Sequence, residues 1–263
     1  PASWFRFMQS MDEIITFSKF NQETFSRAGI TRPIHIVPHG VDVDRFKPRK
    51  KKPIHARLKD KFVFGVNAEW SERKNLDNAI AAYLTAFQGN KDVAFLIKTF
   101  SQDRINIAER IARIRDGVVK CGKFPQIYLI EEMLSPKDMI NFYNSIDCLF
   151  APSRGEGFNL TCSEAMACGK PVIATGWGGN TSYMNNENSI LLDYKIVPVP
   201  ERFSRGRPLY TGQNWADPNP DTMIEALRVV AGGGVGDMGK KARQDMVDNW
   251  TWTKATEELK RIL

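Results

Sequence analysis

The sequence has few cysteines, few histidines and no long apolar run. No stretch approaches the roughly 18 to 20 apolar residues that a membrane-spanning helix needs, and the first residues lack the charged-then-apolar pattern of a secretory signal. The four cysteines among 263 residues have no CxxC spacing, and none of the three histidines stands at metal-ligand spacing from a cysteine. We therefore exclude a disulfide scaffold and expect reduced cysteines, no metal site and a cytoplasmic location.

The net charge is concentrated in one segment of the chain. Lys and Arg number 37 against 30 Asp and Glu, which gives a net charge of +7. Seven basic residues and no acid lie between Arg45 and Arg57, so the rest of the chain is balanced at 30 against 30. This pattern predicts either a solvated, proline-flanked loop or a membrane-surface contact with acidic lipid. Nucleic acid is not expected as a partner, because the segment lacks the interleaved aromatic residues that stack on bases.

From residue 61 onward, short apolar strands alternate with helical segments. Such strands indicate a parallel sheet that is covered on both faces, and right-handed crossovers then give a doubly wound, Rossmann-like α/β domain. The expected strands are Phe62–Asn67, Val93–Lys98, Ile127–Ile130, Cys148–Ala151, Val172–Thr175 and Ile190–Leu192. The expected helices are Asn75–Phe87, Arg104–Val118, Pro136–Tyr143 with Ser135 as its cap, and Leu160–Cys168.

The two ends of the chain lie outside this alternation. Before it, a strand, a helix and a strand are expected at Glu13–Phe17, Asn21–Ala28 and Ile34–Val37. After it, residues 194–220 contain five prolines and are expected to form a long ordered loop, because structureless loops of that length are uncommon. Three terminal helices are expected at Asp221–Val230, Asp237–Asp248 and Thr251–Leu263.

The turn after the strand at Cys148–Ala151 carries a pair of glycines around an acid, Gly155-Glu156-Gly157. Glycines allow a ligand to approach the backbone closely, and the free N–H groups of the following helix start favour an anion such as phosphate. A carboxylate repels phosphate, so Glu156 is expected to face a neutral, hydroxyl-bearing group. The alternative is a simple tight turn.

Two further features suggest a ligand. Glu164 lies among small apolar residues of a predicted helix, where a carboxylate needs a partner. A ribose diol would supply one, and a structural salt bridge is the alternative. Arg73 and Lys74 stand at a predicted helix start, where cations do not complement the macrodipole. Either an anionic ligand holds them there, or they are ordinary surface cations.

These residues together resemble a known signature. The run Gly155-Glu156-Gly157-Phe158 to Ser163-Glu164-Ala165-Met166-Ala167-Cys168-Gly169 resembles the Glu-x7-Glu motif of retaining GT-B glycosyltransferases, the glycogen-synthase-like and sucrose-synthase-like group. Val37-Pro38-His39-Gly40-Val41-Asp42 resembles that group's interdomain linker, and Arg73-Lys74-Asn75 resembles its diphosphate-binding turn. The implied fold is the C-terminal half of a GT-B enzyme.

The resemblance implies a UDP- or GDP-sugar donor and a role for each matching residue. Glu156 would hold the hydroxyls of the donor sugar, and Glu164 would bind the ribose diol. Lys74, with Arg73, would neutralise the diphosphate leaving group, so that no metal cofactor is needed. Glu156 and Lys74 are thus the expected catalytic residues. Backbone contacts to the donor are expected at Gly157, Phe158, Asn159, Leu160 and Ile130.

The resemblance also implies a division of the chain. Residues 1–37 would be the tail of a missing N-terminal Rossmann-like domain, and residues 38–60 would be a basic interdomain linker. Residues 61–235 would form the nucleotide-sugar-binding domain, and residues 236–263 would form the C-terminal helices. The missing domain, which would bind a sugar, lipid or protein acceptor, would belong to a longer chain or to a separate subunit.

The expected function is therefore the transfer of a sugar from a nucleotide-diphosphate sugar to an acceptor, with retention of configuration. Two alternatives stay open at this point. One is a nucleotide-sugar-binding module that has no transferase activity on its own. The other is a GT-B nucleotide-sugar epimerase, against which the Glu-x7-Glu helix argues.

Overall fold

The computed structural model describes residues 2–102, 105–118, 123–205 and 207–263. The chain begins with two helices and two short strands that alternate. The strands pair in parallel, and the side chain of Ser18 caps the second helix by accepting a hydrogen bond from the Asn21 N–H. These elements are α1 (Ala2–Gln9), β1 (Ile14–Thr16), α2 (Lys19–Arg27) and β2 (Ile34–Ile36).

Residues 38–60 are held against the rest of the chain by specific hydrogen bonds. The Val41 N–H donates to the Trp250 carbonyl at 2.8 Å. The Arg49 N–H donates to the side-chain oxygen of Asn144 at 2.7 Å. A 3-10 turn at Ala56–Leu58 then buries Leu58, so this basic stretch is docked along much of its length.

The main sheet has six parallel strands in the order β5-β4-β3-β6-β7-β8. Successive strands are added outward from β3 on one side and from β6 on the other, so the direction of winding reverses between these two strands. The elements are β3 (Phe62–Asn67), α3 (Leu76–Ala86), β4 (Val93–Lys98), α4 (Ile107–Val118), β5 (Gln126–Ile130), α5 (Pro136–Ser145), β6 (Cys148–Ala151), α6 (Leu160–Ala167), β7 (Val172–Thr175) and β8 (Ile190–Leu192).

Residues 194–220 do not form the long loop that the sequence suggests. Strands β9 (Tyr194–Pro198) and β10 (Asn214–Pro218) pair in antiparallel fashion, and a short helix α7 (Glu201–Ser204) lies between them. Proline stands at the end of each strand, where it removes no ladder hydrogen bond from the middle of a sheet. The proline count is therefore compatible with this two-stranded sheet.

Helices cover both faces of the main sheet, and three of them follow β10. These are α8 (Pro220–Ala231), α9 (Met238–Asn249) and α10 (Trp252–Ile262). One face packs α3, α4 and α8 over a buried cluster that includes Phe64 and Phe150. The other face packs α5, α6 and α9 over a cluster that includes Leu149 and Met166. This confirms the predicted doubly wound α/β fold.

The remaining predictions about elements are largely confirmed. The bounds of β3, β4, β6, β7 and β8 agree with the sequence to the residue, because their apolar runs end abruptly at polar or turn residues. The predicted helix start at Arg104 and the residue Cys121 lie outside the described residues.

Cys148, Cys162 and Cys168 are free and buried. Among the described residues, no helix is long and apolar enough to cross a membrane.

The close approach of the linker to α10 leads to a test of this docking. A Cβ atom at Gly40 would run into the backbone of Thr251 and Trp252. We expect Gly40→Ala to lower the free energy of unfolding by about 1 to 3 kcal/mol, measured by urea denaturation followed by tryptophan fluorescence. Gly117→Ala is the control, because its Cβ meets open space inside α4 and a helical alanine stabilises by about 1 kcal/mol. Equal stability of Gly40→Ala and wild type would contradict the docked linker.

Candidate functional site

The reversal of winding between β3 and β6 creates a crevice at the carboxyl ends of these strands. Ligands of open parallel sheets bind at such a switch point. The loop after β3 contains Arg73 and Lys74, and the loop after β6 contains Glu156. The fold thus brings together two sequence-predicted clusters that lie 82 residues apart.

Glu156 forms ion pairs with both cations of the facing loop. Its carboxylate lies 2.7 Å from the Lys74 ammonium and 3.2 Å from the Arg73 guanidinium. Arg73 also donates to the Gly155 carbonyl at 2.7 Å. The side chains of Glu156 and Lys74 are only 10% and 15% exposed, so the charges are close together and poorly hydrated.

The ion pairs decide the protonation state of Glu156. Burial by itself raises the pKa of this carboxyl, but the Lys74 and Arg73 charges outweigh burial and hold the pKa below its usual value. Glu156 is therefore ionised at neutral pH, and the cluster carries two positive charges against one negative charge. The sequence analysis predicted that Glu156 faces a neutral, hydroxyl-bearing group and did not predict these ion pairs.

A second loop holds the backbone around Glu156 in place. The Gly179 N–H donates to the Glu156 carbonyl at 2.8 Å, and a Cβ at Gly179 would collide with the Gly157 carbonyl. From the N-terminal part of the chain, the Asn21 amide donates to the same Gly157 carbonyl at 3.2 Å. The turn that carries Glu156 is therefore clamped from two sides.

Phe158 points away from the crevice. Its ring packs against Tyr183 at 4.9 Å and against His39 of the linker at 5.4 Å. The Tyr183 hydroxyl lies 2.9 Å from the Phe158 carbonyl and 2.7 Å from the Asn159 carbonyl. The Phe158 side chain thus anchors the turn, whereas any contact between Phe158 and a ligand would have to come from its backbone.

The start of α6 leaves backbone donors free. Asn159 adopts a left-handed conformation with φ 72° and makes no side-chain cap. The N–H groups of Cys162 and Ser163 donate to the Asn159 carbonyl. Within the described part of the chain, the N–H groups of Leu160 and Thr161 have no such partner. Free N–H groups at a helix start are donors of the kind that bind anions, and Leu160 is also 44% exposed.

Glu164 lies one helical turn deeper and accepts a hydrogen bond from the Tyr143 hydroxyl at 2.6 Å. Burial raises the pKa of Glu164, against the opposing effects of this hydrogen bond and of the Arg45 charge. Burial also raises the pKa of Tyr143 well above its usual value, so the hydroxyl stays protonated and acts as the donor. Asn67, at the end of β3, donates in turn to the Tyr143 oxygen at 3.4 Å.

Ile130 lies at the same edge of the sheet, at the end of β5. Its carbonyl accepts a hydrogen bond from the Thr99 N–H at 2.9 Å, and its side chain is buried. A ligand could therefore contact Ile130 only through its remaining backbone groups.

Within residues 2–102, 105–118, 123–205 and 207–263, no three His, Cys, Asp or Glu residues form a group able to hold a metal ion.

Sequence reasoning missed Arg154, the residue before the glycine turn. Its guanidinium donates to Asp217 of β10 and to the Glu72 carbonyl, each at 2.7 Å. Its backbone N–H donates to the Arg73 carbonyl, also at 2.7 Å. Arg154 thus joins the loop after β3, the loop after β6 and the β9–β10 sheet. In the sequence, the only indication of this role is the position of Arg154 next to the glycine turn.

Comparison with known proteins identifies relatives of this chain. The family model for Glycosyl transferases group 1 matches residues 61–198. The D-inositol 3-phosphate glycosyltransferase of Xylanimonas cellulosilytica is 26% identical over 167 residues, which make up 61% of this chain and 39% of that protein. This chain therefore spans about two fifths of the length of that relative.

Two solved structures share the fold. Sucrose-phosphate synthase from Thermosynechococcus elongatus superposes with a TM-score of 0.71 at 19% identity, over 98% of this chain and 59% of that one. Anabaena HepE in complex with UDP-glucose superposes with a TM-score of 0.68 at 15% identity, over 99% of this chain and 66% of that one. The fold is thus that of GT-B glycosyltransferases. Since the family model covers more than half of the chain, including both loops of the crevice, the chain belongs to the group 1 glycosyltransferases.

Proposed function

We propose that this chain is the donor-binding half of a glycosyltransferase that uses a nucleotide-diphosphate sugar and retains the configuration of the transferred sugar. The observation that carries the proposal is the cluster of Arg73, Lys74 and Glu156 at the crevice between β3 and β6. Family membership supports sugar transfer. The donor class and the retention of configuration rest on the Glu-x7-Glu resemblance and on the chemistry of these side chains.

Arg73 and Lys74 would bind the diphosphate. Their two charges exceed the single charge of Glu156, so the cluster attracts an anion. The free N–H groups at the start of α6 add donors of the kind that bind phosphate. Fixed positive charge of this kind stabilises a departing diphosphate, which is the task that a divalent metal performs in other enzymes. We propose that donor binding here requires no metal.

Glu156 would accept hydrogen bonds from hydroxyl groups of the donor sugar. Its lowered pKa keeps it ionised, so it can accept such bonds but cannot supply a proton at neutral pH. Because its carboxylate already lies within hydrogen-bonding distance of Lys74, bound sugar and bound diphosphate would share one ion cluster. The sugar would thereby be oriented relative to the bond that breaks.

Glu164 would bind the ribose hydroxyls. The carboxylate has one short hydrogen bond, from Tyr143, which leaves acceptor capacity for a diol. The backbone at the end of β5, near Ile130, would lie beside the base. The complex of HepE with UDP-glucose makes UDP and UDP-glucose the first probes for this chain, with GDP and its sugars as the alternative.

The acceptor would bind to a second domain. This chain spans 39% of the length of its D-inositol 3-phosphate glycosyltransferase relative, and a GT-B site lies in the cleft between two domains. We therefore propose an N-terminal Rossmann-like domain as the partner, with a sugar, lipid or protein as acceptor. On its own, this chain would bind the donor without efficient transfer, since the positioning of two reactants supplies about 7 to 11 kcal/mol of a barrier.

Replacement of Lys74 tests the proposed diphosphate contact. Lys74→Met removes one of the two cations, so the affinity for UDP or GDP should fall by about 10- to 100-fold, the value of a charge-assisted hydrogen bond. Titration calorimetry in the presence of a chelator measures this affinity. Lys260→Met, an exposed cation on α10, is the control and should change nothing. Binding that needs added magnesium would refute the proposed metal independence, and an unchanged affinity of Lys74→Met would refute the diphosphate assignment.

Replacement of Glu156 separates binding of the sugar from binding of the diphosphate. Glu156→Gln leaves Arg73 and Lys74 without a competing carboxylate, so the affinity for bare UDP should stay equal or increase. The affinity for UDP-glucose relative to UDP should fall by about 10-fold or more, because a charge-assisted hydrogen bond to the sugar is lost. Calorimetry with both ligands measures the ratio, with GDP and a GDP-sugar replacing them if GDP binds more tightly. Equal losses for both ligands would mean that Glu156 only shapes the loop.

The ionisation of Glu164 predicts a pH dependence of nucleoside binding. Its folded pKa lies above the usual value of 4.5, so the carboxylate is lost as the pH falls through this raised pKa. The affinity for uridine should therefore decrease as the pH is lowered from about 7 toward 4.5. Glu164→Gln should bind uridine about 10-fold less tightly at neutral pH and should lose this pH dependence. Glu225→Gln, on α8, is the control. An equal pH dependence in Glu164→Gln and wild type would exclude Glu164 as its source.

A further inference from the structure

We propose that the basic segment, defined here as residues 45–61, is a docking surface for an anionic lipid bilayer. This segment holds nine Lys and Arg residues and a single acid, Asp60. Arg45, at its first residue, is close enough to Glu164 for its charge to act on that carboxyl, and the proposal rests on the residues from Lys50 onward. The inference does not depend on which ligand binds in the donor crevice.

The basic segment runs along the edge of the main sheet at which its strands begin. The ammonium of Lys51 lies 2.5 Å from Asp147, the residue immediately before β6, and 3.0 Å from the carbonyl of Lys61, the residue immediately before β3. The imidazole of His55 packs against Tyr128, in the middle of β5, with ring centroids 5.4 Å apart. Because the strands are parallel, this edge is opposite the crevice, and a surface bound here leaves the crevice open.

The positive charge of the segment is largely unneutralised. Lys51 is paired with Asp147. Lys50, Lys52 and Arg57 are exposed, and their side chains form no hydrogen bond or ion pair within the described ranges. Their charges therefore face solvent together and add to one positive field.

Three arginines elsewhere on the surface are neutralised locally. Arg27, Arg113 and Arg261 are each paired with a glutamate of the same helix, at distances of 2.6 to 2.8 Å. These three cations contribute as much to the net charge of the protein as Lys50, Lys52 and Arg57 do, but they create no positive patch. These three paired arginines are therefore a matched control for the unpaired Lys50, Lys52 and Arg57.

The shape and composition of the segment favour a bilayer over a nucleic acid. Binding to single strands relies on aromatic rings that stack on bases, and the one aromatic ring here besides the half-buried Phe46 is that of His55, which already packs on Tyr128. Ile54, between the basic residues, is 42% exposed and could enter the lipid interface. A polybasic segment beside an apolar residue is suited to a negatively charged membrane surface.

The test compares two triple variants that have the same net charge. Lys50→Gln/Lys52→Gln/Arg57→Gln removes the unpaired cations, whereas Arg27→Gln/Arg113→Gln/Arg261→Gln removes paired ones. Sedimentation with phosphatidylcholine vesicles that contain about 30% phosphatidylserine measures partitioning at about 0.1 M salt. Each basic residue near the surface is worth about fivefold in affinity. The first variant should therefore lose about 100-fold, and the second should bind as the wild type does.

Several further results bear on the proposal. Loss of wild-type binding on pure phosphatidylcholine vesicles, or at about 0.5 M salt, would support it, since the attraction is electrostatic. Failure of the wild type to bind the anionic vesicles would overturn it and leave a solvated loop. Equal losses in the two triple variants would overturn it in favour of a non-specific effect of net charge. Tighter binding to single-stranded RNA than to the vesicles would also overturn it. Urea denaturation of each variant checks that its fold is intact.

Discussion

The carboxylate of Glu156 sits in the crevice with a tenth of its side chain exposed, and its charge has to be balanced by the protein itself. The balance comes from Arg73 and Lys74, which the chain contributes from a different loop. Breaking a buried pair by removing one partner costs about 3 to 5 kcal/mol. This electrostatic requirement fixes the distance between the two loops at the winding reversal. A diphosphate would then meet cations that are already positioned and partly desolvated.

The backbone around the ion cluster is constrained as strongly as the side chains. Gly179 approaches the Gly157 carbonyl so closely that no side chain fits between them. Tyr183 holds the two carbonyls that follow, and Asn159 turns the chain into α6 with a positive φ. As a result, the backbone between Glu156 and the start of α6 is held in place beside the ion cluster. A rigid frame of this kind reduces the entropy that is lost when an anion binds.

The doubly wound topology gives the two edges of the sheet different properties. At the carboxyl edge, loops from β3 and β6 converge on the crevice, and Arg154 connects both of them to the β9–β10 sheet. At the amino edge, the linker crosses the strand starts and places most of the excess positive charge of the chain there. The proposed donor site at the carboxyl edge is therefore structurally separate from the basic residues at the amino edge.

Sequence patterns alone predicted the six strands of the main sheet, the class of fold and the two clusters, Arg73-Lys74 and Glu156, that meet at the crevice. Five strands agree to the residue, because a buried strand requires an unbroken apolar run that ends at polar or turn residues. The β9–β10 pairing could not be predicted, because its partners, such as Trp215 and Val197, are distant in sequence and share no pattern. The pairing of Glu156 with Lys74, the packing of Phe158 on His39 and the part played by Arg154 were decided by the tertiary structure alone. Each of these contacts depends on which loops face one another across the sheet edge. Local sequence does not specify this, because the contacting residues are far apart in the chain and meet only when the helices pack on both faces of the sheet.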